Sequence, residues 1–314
     1  MKKMLGSFLT FFILSGFQSC DKYFEDIEPV VQTVSIPGPA ISSDGLTTDN
    51  LGNVYATDNI GTSPDPFNGN GTTIYKIKPN GERTLFADKL DGGPAGCCFD
   101  KWGNFYVCTF RDGKLIKIKP NGSRQVIADN LEGPIQVVSD RQGNLFVSVA
   151  GIGEAVGSKI YKFTPNGTKS ILADLFSLGG IALTGMAIDK YDNLYVGNFV
   201  NDIIHKVTPG GTATVFVHLS LPGIPYTPFT GYLTYANENI YAAGTTISRL
   251  YKITLAGQVS VLAGTGQAGA QDGAPATATF TGPNGIAADP SGNVLYISES
   301  VSKRLRRIVS LKKL

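Results

Sequence analysis

Five aspartates stand at the head of near-identical segments: Asp49, Asp100, Asp140, Asp189 and Asp289. A set of carboxylates this regular could hold metal. The pattern favours a humbler task, because each Asp precedes a Gly-Asn or Asp-Asn turn whose amides its own side chain can accept. The other groups with chemical potential are few. His205 and His218 are the only histidines, and His205 falls within a strand pattern. Cys97, Cys98 and Cys108 are odd in number, lie in apolar strands and lack Cys-x-x-Cys spacing. They read as small buried hydrophobes. A bridge from Cys108 to Cys97 or Cys98 is the alternative that export would permit. No Gly-x-Ser-x-Gly, His-Glu-x-x-His or Walker sequence occurs.

The elements that must position these residues come from a repeat. The turn asparagines are Asn53, Asn104, Asn144, Asn193, Asn239 and Asn293, spaced by 51, 40, 49, 46 and 54 residues. Each unit holds an apolar strand, the turn, an aromatic-rich strand, and a third and fourth strand joined by a tight turn. Pro79-Asn80-Gly81, Pro120-Asn121-Gly122 and Pro165-Asn166-Gly167 supply the positive φ which that turn needs. A period of this size with four strands per unit predicts an all-β, six-bladed β-propeller. Blade five lacks the turn Asp and Gly (Asn237-Glu238-Asn239), which puts its turn geometry in question. Five units have a fourth strand and the sixth does not. Residues 31–36 alternate like 258–262 and are expected to complete blade six, removing two open sheet edges.

The ends suggest export. Lys2 and Lys3 precede a 13-residue apolar stretch, too short to span a bilayer as a mature helix, and then Ser19-Cys20. This resembles a bacterial lipobox, which implies cleavage before Cys20 and its lipidation. An ordinary secretory signal is the alternative. Residues 1–19 are thus expected as a signal peptide, 20–30 as an acidic tether and 31–314 as the propeller. The acidic tether resembles the surface-export signals of Bacteroidota lipoproteins. The implied location is the bacterial cell envelope, lipid-anchored and facing the periplasm or the outside. Without residues 1–19 the chain has 25 basic and 25 acidic side chains. That balance gives no footing for nucleic acid or an anionic membrane surface. The cluster Lys303, Arg304, Arg306, Arg307, Lys312 and Lys313 reads as a solvated blade face.

The segment from Gly264-Thr265-Gly266 through Asp272-Gly273 to Pro283-Asn284-Gly285 and Gly292-Asn293 resembles NHL-repeat propellers, over roughly residues 31–310. Those are similar to the gluconolactonase/senescence-marker lactone hydrolases. That resemblance implies a divalent ion, Ca²⁺ or Mg²⁺, in the central channel. Glu132-Gly133-Pro134, Pro283-Asn284-Gly285 and Asp44-Gly45 resemble the family's ligand segments, so Glu132, Asn284 and Asp44 are the implied metal set. Such an ion would polarise a lactone carbonyl. The streptogramin lyases, another propeller family, would need histidines and acids near the axis.

Loop lengths point elsewhere. One face of the propeller carries short, uniform turns. The other carries long, variable loops, near residues 58–73, 149–158, 173–184, 218–230 and 263–284, and such loops on a rigid scaffold build sites. Phe67, Phe110, Phe199, Tyr226 and Phe229 are candidate contacts there, with Phe176 and Phe280 in the same loops. The favoured reading is therefore a cofactor-free binding module for a protein, peptide or glycan. The alternative is the metal-dependent lactonase. Mass spectrometry of the native N-terminus should find an acylated Cys20; a mature chain beginning after Cys20 would remove the anchor.

Overall fold

The computed structural model describes residues 28–38, 41, 43–59, 70–152, 157–224 and 229–314. Both the signal segment and most of the acidic tether lie outside these residues, as do Phe67 and Tyr226. The described strands form six four-stranded antiparallel sheets. Each sheet is built from chain-consecutive strands, apart from one borrowed strand in the sixth. Helix among the described residues is confined to three 3-10 turns, at Phe176–Leu178, Thr245–Ile247 and Leu311–Lys313.

The innermost strands are Ser43–Thr48, Pro94–Phe99, Pro134–Ser139, Leu183–Ile188, Thr230–Ala236 and Pro283–Ala288. Each contacts the next, and the sixth contacts the first. The chain is a six-bladed β-propeller. Its core is not a single mass. Six apolar clusters lie one at each junction between neighbouring blades. Cys97 with Phe105 and Val107 packs on the side of blade one; Cys98 and Cys108 pack on the side of blade three. All three thiols are free and buried, as the apolar reading of these cysteines holds.

The turn aspartates do what their spacing suggests. Asp49 Oδ1 accepts the amides of Leu51 and Asn53, each at 3.0 Å, and Asp49 Oδ2 accepts the Tyr55 hydroxyl at 3.0 Å. Asp100 and Asp189 repeat this with Tyr106 and Tyr195. Blade five turns differently. Ala236 pairs with Asn239, and the two residues between them, Asn237 and Glu238, have φ of 48° and 61°. Lacking the Asp cap and its glycine, the hairpin shortens to a two-residue turn whose central residues are both left-handed. Asn237 then donates to the Gly292 carbonyl of blade six.

The fourth strand of the sixth sheet is Val30–Thr33, paired antiparallel with Leu305–Val309 from Val30↔Val309 to Thr33↔Arg306. It is shorter than the 31–36 read from the sequence. The cationic cluster also differs from expectation. Arg304 is exposed, but Arg306 is fully buried. The reason is the crossover before blade six, which folds over that strand. Arg306 donates to Glu299 Oε1 (3.1 Å), the Thr279 carbonyl (2.9 Å), the Gln271 carbonyl (3.0 Å) and Asp272 Oδ1 (2.7 Å), and lies over the Phe280 ring. Asp272 in turn accepts the Thr33 amide and hydroxyl. Phe280 is therefore core rather than a loop-face contact.

Two outcomes test this latch. Arg306→Ala leaves Glu299 buried without its counter-charge and should cost about 3–5 kcal/mol in denaturant unfolding. Deleting residues 30–33 removes the burial of Val31, worth about 1.5–3 kcal/mol, and exposes a strand edge. That deletion should also broaden the unfolding transition and promote association; unfolding identical to the full chain would make the strand dispensable. Burial raises the Asp272 carboxyl, but the Thr33 bonds and Arg306 outweigh it and hold the group below the usual range. A depressed carboxyl stabilises the fold above its unfolded value, near 3.8. The latch should weaken only as pH falls below about 4.

Candidate functional site at the channel mouth

The six inner strands converge so closely that most of them carry glycine at the pinch. Gly45, Gly96, Gly185 and Gly285 occupy one level of the ring. A Cβ on Gly45 would fall 2.3 Å from the Ala95 carbonyl oxygen, and one on Gly185 would fall 2.2 Å from the Tyr232 Cα. Gln136 and Tyr232 stand at the same level in blades three and five. With four neighbours reduced to hydrogen, their side chains fill the space. Tyr232 packs with Ile135 and its hydroxyl donates to the Ile135 carbonyl at 3.4 Å, from blade five to blade three. Burial pushes its phenol well up. The channel is thus plugged midway.

On the short-turn side of the plug is a chamber of about 180 Å³, lined by inner-strand residues of all six blades, among them Thr48, Cys97, Gln136 and Thr234. The other side of the plug opens toward the long loops. There Asp44 is the central group. Its Oδ1 accepts the Asn284 amide at 2.9 Å, and its Oδ2 accepts the Asn59 amide. Arg111 donates to Asn59 Oδ1 at 3.1 Å. Burial raises the Asp44 carboxyl above its usual range, against the two asparagine bonds and the field of Arg111.

A second group of polar atoms continues this arc through blades four and five. The hydroxyls of Thr184, Thr230 and Thr245 are buried without a hydrogen-bond partner among the described residues. Thr184 Oγ1 and the Thr230 methyl both flank Gly197; Thr245 Oγ1 and Asn284 Oδ1 both flank Gly231. At the rim beside Thr230, the rings of Phe199 and Phe229 stack at 5.3 Å and 28°. Phe199 is 41% exposed.

Of the three residues implied as metal ligands, the structure joins Asp44 and Asn284. It directs Glu132 to the Tyr161 hydroxyl, at 2.7 Å in its own blade. Burial opposes that carboxylate, yet the Tyr161 bond with Lys159 and Lys169 holds it below the usual range. Among the described residues, no group of three or more His, Cys, Asp and Glu side chains is placed to hold a metal ion. His205 is buried against Asn198 and the Leu178 carbonyl, and its imidazole is pushed down by burial. His218 bonds Asp202 at 3.1 Å on an exposed strand end. Neither histidine stands beside Asp44. Phe110 packs over Gly133, and Phe176 is exposed in its own 3-10 turn. Asn59, Arg111 and the three threonines were not legible as site residues. Each lies in a loop or strand end with no motif, although the unusual Asn59 just after a strand was a faint signal.

No family model matches the chain, and no curated protein matches it. Solved structures share the fold. A nutrient-binding protein described as auxiliary, from Bacteroides thetaiotaomicron, superposes with a TM-score of 0.72 at 11% identity, over 90% of this chain and 76% of its own. A counterpart from Bacteroides ovatus gives 0.70 at 16%, with the same coverages. A gluconolactonase from Xanthomonas campestris gives 0.65 at 15%, over 89% and 88%. Identities this low define the class as a six-bladed β-propeller and no more.

The plug makes a measurable difference. Tyr232→Ala should cost about 3–5 kcal/mol and join the chamber to the mouth. The native thiols, pushed up by burial, should react with Ellman's reagent only on unfolding. In Tyr232→Ala, Cys97 should react in the native state; protection unchanged from the parent would refute the plug.

Proposed function

We propose that this chain is a lipid-anchored envelope protein whose long-loop face binds a ligand, and that it is not a hydrolase. One observation carries the reading. At the long-loop end of the inner strands Asp44 is hydrogen-bonded to Asn284, and the half-exposed ring of Phe199 stacks on Phe229, above a plugged channel. The plug favours capture at the mouth over passage through the ring. Likeness to two nutrient-binding propellers supports a nutrient as the ligand and the envelope as the place. Anchoring through Cys20 and the tether of residues 20–30 would hold the propeller at the membrane and leave the loop face free.

The lactonase alternative has one observation in its favour, the Asp44–Asn284 contact. Against it, both Asp44 oxygens already accept amide hydrogens and Glu132 is committed to Tyr161. The two readings separate in metal analysis. Purified full-length protein, dialysed without chelator, should retain far less than one equivalent of calcium or magnesium, and should not open gluconolactone above the buffer rate. Stoichiometric metal lost in Asp44→Ala and in Asn284→Ala would favour the hydrolase.

A further inference from the structure

We infer that the short-turn face of the propeller docks on the bilayer that holds the lipid anchor, with Leu51, Trp102 and Tyr191 seated at headgroup level and the long-loop face turned away. This rests on the anchored reading and gives it a contact surface and an orientation.

The tether joins the propeller on that face. Val30 pairs with Val309, the last residue of the third strand of blade six. Just beyond it, the Leu311 amide donates to the carbonyl of Asn293, the turn asparagine of the same blade. Residues 28–30 therefore enter the ring among the short turns, whereas Thr33 lies toward the long loops. Eight residues carry the chain from Cys20 to Glu28, and at no more than about 3.6 Å each they keep an acylated Cys20 within about 29 Å of Glu28. The five-residue strands of blade six add about 17 Å before the long-loop rim is reached. A tether this short leaves little room for a folded partner between the short turns and the bilayer.

The turn tips carry the matching chemistry. The amides of Leu51, Trp102, Gln142, Tyr191 and Ser291 each donate to the turn aspartate of their own blade, which makes these positions equivalent. Equivalent positions of a closed ring share one height. Gln142 and Ser291 close the same turn, so the fold asks for no apolar side chain there. Leu51, Trp102 and Tyr191 are nonetheless 80%, 55% and 59% exposed. Large side chains left in water at one level mark a contact surface. Trp and Tyr suit the bilayer interface, where the ring meets acyl chains and its polar atom meets headgroups. Lys101 lies over the Trp102 ring at 4.6 Å and Lys190 over the Tyr191 ring at 5.1 Å, which sets an amine beside each at phosphate height. The attachment is apolar rather than polybasic, because Lys78, Arg141 and Lys190 are already paired with Glu82, Asp192 and Glu238.

Trp102 is the single tryptophan of the chain, so its emission reports on this face. The test is fluorescence of the acylated protein added from detergent to preformed phosphatidylethanolamine–phosphatidylglycerol vesicles, with and without brominated acyl chains. Relative to the soluble Cys20→Ser protein, Trp102 emission should shift to the blue, resist iodide and lose most of its intensity in brominated vesicles. High salt should not reverse this, since screening acts on charge. Leu51→Ser with Tyr191→Ser keeps the reporter and should reduce bromine quenching roughly twofold or more, by the loss of apolar contact. Circular dichroism melting of that variant should match the parent, because both side chains are exposed. Trp102→Phe with Phe199→Trp moves the reporter to the long-loop face, where it should stay open to iodide and indifferent to bromine. Trp102 as open to iodide on vesicles as in the Cys20→Ser protein, with Cys20 acylated by mass spectrometry, would overturn the docking face and leave the anchor standing. Bromine quenching at position 199 instead would reverse the orientation. Shielding of Trp102 already present in the Cys20→Ser protein, with a dimer in sedimentation, would assign the face to a second copy and overturn the proposal. A Cys20 without acyl chains would overturn the anchor and this orientation with it.

Discussion

Each blade is a twisted sheet with two apolar faces, and neither face can be left to water. Everything else in the molecule follows from burying both. A blade packs on one neighbour with Cys97 and on the other with Cys98, and every junction has a cluster of this kind. The requirement is met only when the sixth blade packs on the first, through Ala287 and Tyr296 against Leu46 and Ala56. A ring of six then forces six inner strands toward one axis. Strands so close have no room for six side chains at one level, which accounts for Gly45, Gly96, Gly185 and Gly285.

The same crowding divides the channel into two unlike halves. Where glycine leaves space, Tyr232 and Gln136 take it, and the axis is blocked. On one side the strands end in short Asx-capped turns that satisfy themselves. On the other they begin at Ser43, Leu183, Thr230 and Pro283, where the strand register is interrupted by bulges and side chains are re-aimed. The bulges take Asp44, Thr184 and Asn284 out of the ladder pairing. A rigid ring thereby holds the Asp44–Asn284 pair in fixed geometry.

The buried Arg306 joins this face to the N-terminal strand. Through Asp272 it ties Thr33 to the crossover before blade six, and through Glu299 it reaches the end of the strand beside Asn284. A charge network this far from water is an inefficient way to gain stability. It does fix the order of the pieces, because no apolar side chain would demand two carboxylates and two carbonyls at once. Val30–Thr33 is thereby fixed at the outer edge of blade six rather than among the loops.

The sequence by itself determined what depends on local periodicity. Six repeats, a fourth strand in five of them, the Asx-capped turns and buried cysteines were all readable, because turn chemistry and strand alternation act over a few residues. Loop length also separated a uniform face from a variable one. What the tertiary structure alone decided is where side chains from distant repeats meet. Asp44 and Asn284, 240 residues apart, are hydrogen-bonded, while Glu132, in an equally suggestive Glu-Gly-Pro segment, faces Tyr161 of its own blade. Arg306 and Arg304 share an alternation in the sequence, yet only Arg306 is covered, since the crossover that buries it is folded from residues 27 to 35 positions earlier. Periodicity specifies the face a residue occupies on its strand. It carries no information about which remote loop will cover that face, and that pairing is set by the closure of the ring.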